Sequence, residues 1–170
     1  QRPDDRIGLI AFGARPYSVC PITLDHSWLV NRLRELGIGD LDSNGTAIGS
    51  AIAAATTRLN SRDAKSKVIV LVTDGASNSG PLNPLQAARA TASLGVRVYT
   101  IAIGTAEGRL DPANIAQSRQ EYDAATLREI ARITDGEFFE ASTMESLRET
   151  FANIDKLEKS DARSASVIDA

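Results

Sequence analysis

The chain has one cysteine, Cys20, and one histidine, His26, in 170 residues. A lone cysteine excludes an internal disulfide and any multi-cysteine zinc site. A lone histidine excludes multi-histidine metal centres and leaves a single imidazole for acid–base work. No apolar run reaches the roughly 18 residues that cross a bilayer, and no signal-peptide pattern opens the sequence, so an anchor or export signal is expected outside it. There is no block of positive charge either. Nineteen basic and 22 acidic residues are scattered along the chain for a net charge of -3, which argues against nucleic acid as a partner. Internal repeats and low-complexity segments are absent as well.

What is present is the composition of one soluble globular domain: 42% apolar and 24% charged residues. Ile7 to Phe12 is short, nearly all apolar and ended by Gly13, as a buried strand would be. Tyr17 to Leu24 is interrupted by Pro21 and preceded by Pro16, and proline belongs at sheet edges, so these two runs predict a hairpin with an edge strand second. Asp25 caps a predicted helix with Leu29, Val30, Leu33 and Leu36 at helical spacing and Gly37 at its stop. A loop, Ile38 to Gly45, follows. Thr46 opens the next helix, whose stripe Ile48, Ala51, Ile52, Ala55 and Leu59 is of mostly small residues that would let it lie close on a sheet.

Val68 to Val72, five aliphatic residues in a row, is the strongest buried-strand signal in the chain. Asn83 and Pro84 start a helix that Gly95 ends, and Val96 to Ile103 reads as another buried strand. Asp123 caps a helix with Leu127, Ile130 and Ala131 inward, ended by Gly136. Glu137 to Glu140 is a short strand. Ser142 and Glu145 form a predicted capping box for a last helix with Leu147, Phe151, Ile154 and Leu157 inward. Residues 160–170 read as a loose polar tail. Strands alternating with helices across short connections predict an α/β, doubly wound, mostly parallel sheet with helices on both faces and one antiparallel edge strand.

In such a sheet ligands gather at the carboxyl ends of the strands. Asp74, directly after Val68 to Thr73 and followed by Gly75 and the polar run Ala76-Ser77-Asn78-Ser79-Gly80, is the outstanding candidate. The plain alternative is that it begins an Asp-Gly turn. Thr46 is the second, its hydroxyl suited to a hard cation; the plain alternative is an N-cap. Asn44-Gly45-Thr46 also matches a glycosylation sequon, a weak signal. Gly75-Ala76-Ser77-Asn78-Ser79 misses the nucleophile-elbow pattern at its last position, and no phosphate-binding glycine motif occurs. His26 reads as a solvated first-turn residue, Cys20 as a small packed one, and Glu121, Asp123 and Arg128 as a solvated helix start.

Asp4 to Phe12, Cys20 to Asp25, Gly45-Thr46-Ala47-Ile48-Gly49, Lys67 to Gly75, Val98 to Gly104 and Asp155 to Lys159, in that order, resemble a von Willebrand factor A (VWA) domain, and more narrowly the membrane-anchored bacterial Bat proteins of aerotolerance. The resemblance implies a domain over residues 1–159, a tail over 160–170, and no enzymatic activity. It implies a metal-ion-dependent adhesion site in which Thr46 and Asp74 hold Mg²⁺ and a partner's acidic side chain completes the shell. Expected partners are a MoxR-type ATPase and sister VWA proteins, on the periplasmic side of the inner membrane. One departure is that the family's Asp-x-Ser-x-Ser loop occurs nowhere in these residues, nor does the central strand that precedes it. That strand would lie between Ile7–Phe12 and Val68–Val72, and its loop would supply an anionic ligand and two hydroxyls, so with Thr46 and Asp74 alone metal binding is expected to be weak. The gap is expected to be filled by a strand from a second copy, by the segment Ser164 to Ile168 folding back, or by residues outside this sequence, and exchange between copies is the favoured remedy. A metal-assisted hydrolase using Asp74 and a metal-free assembly domain are the alternatives.

Overall fold

The computed structural model describes residues 4–37, 45–104 and 123–168, with side chains as far as Lys159. Asn44 of the sequon, Glu121 and most of the loop expected over 38–45 lie outside the described residues.

β1 (Ile7–Phe12) and β2 (Pro16–Thr23) form the expected antiparallel hairpin. Ile10 lies opposite Ser18 and Phe12 opposite Pro16. β2 carries both prolines and has no strand on its far side among the described residues, which is where a residue without an N–H can be tolerated. α1 (His26–Glu35) starts where Asp25 accepts a hydrogen bond from the Trp28 amide at 2.9 Å and stops two residues before Gly37. Its apolar residues are not core. No residue of α1 is buried, and Val30 and Leu33 are exposed.

α2 (Ile48–Asn60) begins two residues later than Thr46. The capping position belongs to Ala47, which offers no side-chain cap, so the reading of Thr46 as the helix opener is corrected. The helix lies close on its neighbours. Gly49 is required here, because a Cβ would stand 2.2 Å from the Leu82 carbonyl oxygen.

The second sheet is parallel throughout: β3 (Lys67–Thr73) pairs with β4 (Val96–Ile103), and β4 with β5 (Phe138–Ala141). Side chains alternate across it with period two. On one face Leu71, Val98 and Ala102 meet Ile48 and Ile52 of α2, Ala87 and Ala88 of α3 (Pro84–Ser93), and Leu127 and Ile130 of α4 (Ala124–Ile133). On the other, Tyr99, Ile101 and Ala141 meet Ile154 of α5 (Met144–Ile168), with Val68, Val72, Leu147 and Leu157 packed around them. The fold is therefore α/β, with a parallel sheet covered on both faces and an antiparallel strand at the side. β1 and β3 are not hydrogen-bonded to each other, though α2 touches both.

Two boundaries move. The capping box of α5 is Thr143 with Ser146: the Ser146 amide donates to Thr143 Oγ1 at 3.1 Å and the Thr143 amide donates to Ser146 Oγ at 3.0 Å. The helix starts at Met144, so Thr143 holds the N-cap and Ser142 stands one residue too early. At the far end, the segment expected to be a loose tail continues α5 as helix to Ile168. Phe151, expected inward, is 45% exposed.

Candidate metal centre at the sheet rim

Three chain segments meet at the carboxyl end of the strands. β3 ends at Thr73, whose buried side chain turns the backbone: its Oγ1 accepts from the Gly75 amide at 3.2 Å. The turn is thus closed by Thr73 and not by Asp74. Asp74 is exposed, and among the described residues its carboxylate has no hydrogen-bond partner or ion pair. At the end of β1, the Gly13 carbonyl accepts from the Ala47 amide at 2.8 Å, which fixes the segment entering α2 to the same rim.

The loop after β3 then grips the residue before Ala47. Asn78 Oδ1 accepts from the Thr46 amide at 2.8 Å, and the Asn78 amide donates to the Thr46 carbonyl at 3.2 Å. Ser77 Oγ donates to the same carbonyl at 3.4 Å. Gly45, at a φ of +138°, leaves room for this approach, since a Cβ there would stand 2.6 Å from Ser79 Oγ. Both backbone groups of Thr46 are engaged, while its hydroxyl has no hydrogen-bond partner among the described residues and serves no helix cap. The loops that carry Thr46 and Asp74 are therefore joined at one rim. In the sequence Asn78 and Ser77 stand only as part of a polar run; a polar loop closed by Gly80 signals a rim but not which side chain holds what.

The donor chemistry here fits a hard cation. Thr46 supplies a hydroxyl and Asp74 a carboxylate, both oxygen donors of the kind Mg²⁺ takes. The hydroxyls of Ser79 and Ser50, packed beside Gly45 and Gly80, are buried and lack hydrogen-bond partners, so the rim has unspent oxygens. Among the described residues no group of three or more His, Cys, Asp or Glu could by itself enclose a metal. A shallow cavity of about 410 Å³ opens beside the site, walled by Ser77, Asn78, Ser79, Leu82 and Pro84.

The other candidates lie elsewhere. His26 is half-buried and fastened to the segment that leads into β1, its Nε2 2.8 Å from the Asp5 carbonyl oxygen, so it is not simply a solvated residue. Cys20 is buried. Asp123 caps α4, where the Thr126 hydroxyl and amide hold its carboxyl below the usual range. Arg128 reaches Glu140 at 3.4 Å and lies 4.7 Å over the Phe138 ring. At the opposite end of the sheet Glu158, which sequence reasoning did not weigh, is buried among Arg97 Nη1 at 2.8 Å, the Tyr99 hydroxyl at 2.7 Å and Ser66 Oγ at 3.0 Å. Burial, together with the hydrogen bond to Glu158, pushes the Tyr99 phenol up to about 12.

The profile of the von Willebrand factor type A domain matches residues 1–153. The chain belongs to the VWA family. Such domains commonly mediate protein interactions, often with a metal. The VWA domain here is 34% identical to a protein of Borreliella burgdorferi over 146 residues, covering 82% of this chain and 42% of that protein. It thus spans less than half the length of that relative. Its fold matches BatB from Bacteroides thetaiotaomicron with a TM-score of 0.75 at 25% identity, over 92% of this chain and 80% of that one. It likewise matches the fold of an aerotolerance-related membrane protein from Bacteroides fragilis, with a TM-score of 0.73 at 24% identity over 88% and 78% of the two chains. At the level of fold it also resembles proximal thread matrix protein 1 of the mussel byssus, with a TM-score of 0.65 at 19% identity over 85% and 33% of the chains; that protein has zinc in its adhesion-site motif. No described helix of this VWA domain is long and apolar enough to cross a membrane.

Proposed function

We propose that this VWA domain binds a protein partner through a divalent cation, Mg²⁺, held at the rim by the Thr46 hydroxyl and the Asp74 carboxylate, with an acidic side chain of the partner as a further ligand. The observation that carries the reading is the joining of the two loops by Asn78 and Ser77, which leaves the Thr46 hydroxyl and the Asp74 carboxylate both unspent. Mg²⁺ would supply an oxygen-seeking octahedral centre that keeps exchangeable waters, positions a partner's carboxylate can take. Asp74 contributes the negative charge and Thr46 a neutral oxygen. Recognition built this way is selective for acidic partners and disappears with a chelator. The zinc in the adhesion site of the mussel protein shows that the same fold accommodates a metal there, which supports the reading.

A binding role is favoured over a metal-assisted hydrolase. Hydrolysis would ask for a second carboxylate or a base beside Asp74, and no acidic or histidine cluster accompanies it among the described residues. The sole histidine is tied to the Asp5 carbonyl. A VWA domain that assembles without metal is the second alternative, and the cation titration below separates the two. By the likeness to Bat proteins, the domain would stand on the periplasmic side of the inner membrane as part of a membrane-anchored protein, with a MoxR-type ATPase and sister VWA proteins as partners.

Calorimetric titration of Mg²⁺ into the intact protein and into Asp74→Ala tests the proposal. The variant is expected to fold normally, because an exposed rim carboxylate adds little to the core, and to lose measurable Mg²⁺ binding. Thr46→Ala should weaken binding less. Equal affinity in wild type and Asp74→Ala removes Asp74 from the site.

A further inference from the structure

Resting on the cation site just proposed, we propose that Asn78 is its positioning residue: it fixes the Thr46 hydroxyl for the cation from outside the coordination shell, by holding Thr46 through both backbone groups.

The contacts are specific to one residue. A side-chain amide oxygen takes the Thr46 N–H at 2.8 Å while the main chain of the same Asn78 gives its N–H to the Thr46 carbonyl at 3.2 Å. Two bonds from one residue to the two ends of another fix its orientation as well as its distance, and Ser77 Oγ adds a third at 3.4 Å. The geometry around the clasp leaves little slack. Gly45 at a φ of +138° passes so close to this loop that a Cβ would meet Ser79 at 2.6 Å and Asn78 Oδ1 at 3.0 Å. On the other side of Thr46, Gly80 at a φ of +89° runs against Ala47, where a Cβ would stand 2.8 Å from the Ala47 side chain.

The clasp has no evident task in the core. Thr46 is partly exposed and Asn78 exposed, and the helix that follows is capped at Ala47 without any side chain. What the clasp does determine is where the Thr46 hydroxyl stands relative to the loop that carries Asp74. Without the two bonds from Asn78, Thr46 would retain the long bond from Ser77 Oγ to its carbonyl at 3.4 Å and the neighbouring bond from the Ala47 amide to Gly13 to place it. Since Asn78 Oδ1 is occupied by the Thr46 amide, the residue acts through Thr46 and not as a ligand itself. Groups that orient a metal ligand in this way typically alter affinity by about 10- to 100-fold when removed.

The test is a double-mutant cycle on the intact protein, read by Mg²⁺ titration, with amide hydrogen exchange at Thr46 as the measurement independent of metal. Asn78→Ala is expected to accelerate exchange of the Thr46 amide and to weaken Mg²⁺ about tenfold or more. Asn78→Asp, which keeps the accepting oxygen, should restore slow exchange and recover affinity. In a Thr46→Ala background the further change Asn78→Ala should leave the remaining Mg²⁺ affinity unchanged. Undiminished protection of the Thr46 amide in Asn78→Ala overturns the clasp whatever the cation does. A full loss of affinity on top of Thr46→Ala overturns the claim that Asn78 acts through Thr46, since a direct ligand would behave that way. If the amide is released but wild-type protein takes up no Mg²⁺, the cation site falls and the positioning role with it, while the clasp stands as a purely structural contact.

Discussion

β3 and β4 run side by side, paired residue for residue from Lys67–Val96 to Thr73–Ala102, yet they live in different surroundings. In β4, Val98, Thr100, Ile101 and Ala102 are fully buried; in β3 only Leu71 and Thr73 are buried, neither of them fully, and Val70 is 36% exposed. By composition the order should be reversed, since Val68 to Val72 is the more continuous aliphatic run. The difference is in the partners. β4 has a strand on each side, while β3 has β4 on one side and no strand on the other among the described residues. A strand written in unbroken aliphatics is suited to being covered on both faces and both edges. Burial in the fold reports how many partners a strand has, while composition reports how many it is suited to, and in β3 the two disagree.

The largest test of that contrast is a pair of truncations. Ile101→Ala removes a fully buried side chain between β4 and α5 and should cost about 3 to 4 kcal/mol. Val70→Ala, one strand away, should cost under about 1 kcal/mol. Urea denaturation of both variants gives the comparison directly, and similar losses would mean that Val70 is covered in solution.

Next in size is the lock at the amino-terminal end of β4. Glu158→Ala takes the acceptor from both Arg97 and Tyr99 and should cost about 2 to 3 kcal/mol, less than a wholly buried ion pair because the Arg97 side chain keeps 25% exposure. The lock also has a pH signature. The Tyr99 phenol is raised from 10.0 to about 12 in the fold, so the folded state favours the protonated form. Its contribution is fully present below pH 10 and is lost as the pH rises through about 12, a change on the order of 2 kcal/mol. Thermal unfolding followed across that window should show a destabilising step that Tyr99→Phe removes.

Much of this architecture is legible in the sequence, for reasons that also show where it stops being so. Asn83 with Pro84, Asp25 and Asp123 are caps that act within three residues, and each is found at work in the structure. The errors are of one residue or of one level. Ser142 and Thr143 are both capping residues by type, and it is Thr143 that exchanges the capping bonds with Ser146, so the helix starts one residue later than the sequence suggests. Thr46 reads as an N-cap because hydroxyls cap, but the bond from the Ala47 amide to Gly13, a residue 34 positions earlier, delays the helix to Ile48. The residues 160–168 are polar enough to read as a tail and still continue a helix already begun. α1 has helical spacing of apolar residues but no buried one, so periodicity there describes a face and not a contact. At the rim, the placement of Asp74 and Thr46 beside one set of strand ends follows from topology. The clasp through Asn78 does not, because it depends on a long-range contact that no local pattern encodes, and the same holds for Glu158 reaching Tyr99 across 59 residues.

The smallest effect on stability is expected from Val70→Lys, and it bears most directly on the uneven sides of β3. A half-exposed position should accept lysine within about 0.5 to 1 kcal/mol. Its effect on association should be far larger. The edge of β3 opposite β4 has no strand beside it among the described residues, and an edge of unpaired backbone donors and acceptors beside aliphatic side chains recruits a strand from another molecule. We therefore expect the 170-residue chain to associate in pairs, each copy supplying a strand to the other, as the edges of β1 and β3 that lack a neighbouring strand among the described residues invite. A charge placed on such an edge is a common natural guard against this pairing, because the partner would have to bury it. Light scattering should accordingly show a dimer for the wild-type chain and a monomer for Val70→Lys, with matching circular dichroism spectra to show that the fold is retained. A stable wild-type monomer whose β1 and β3 pair directly in solution would remove the exchange, and the exposure of Val70 would then need another cause. If both proteins dimerise equally, the contact lies elsewhere, and the exposed Val30 and Leu33 of α1 are the next surface to charge.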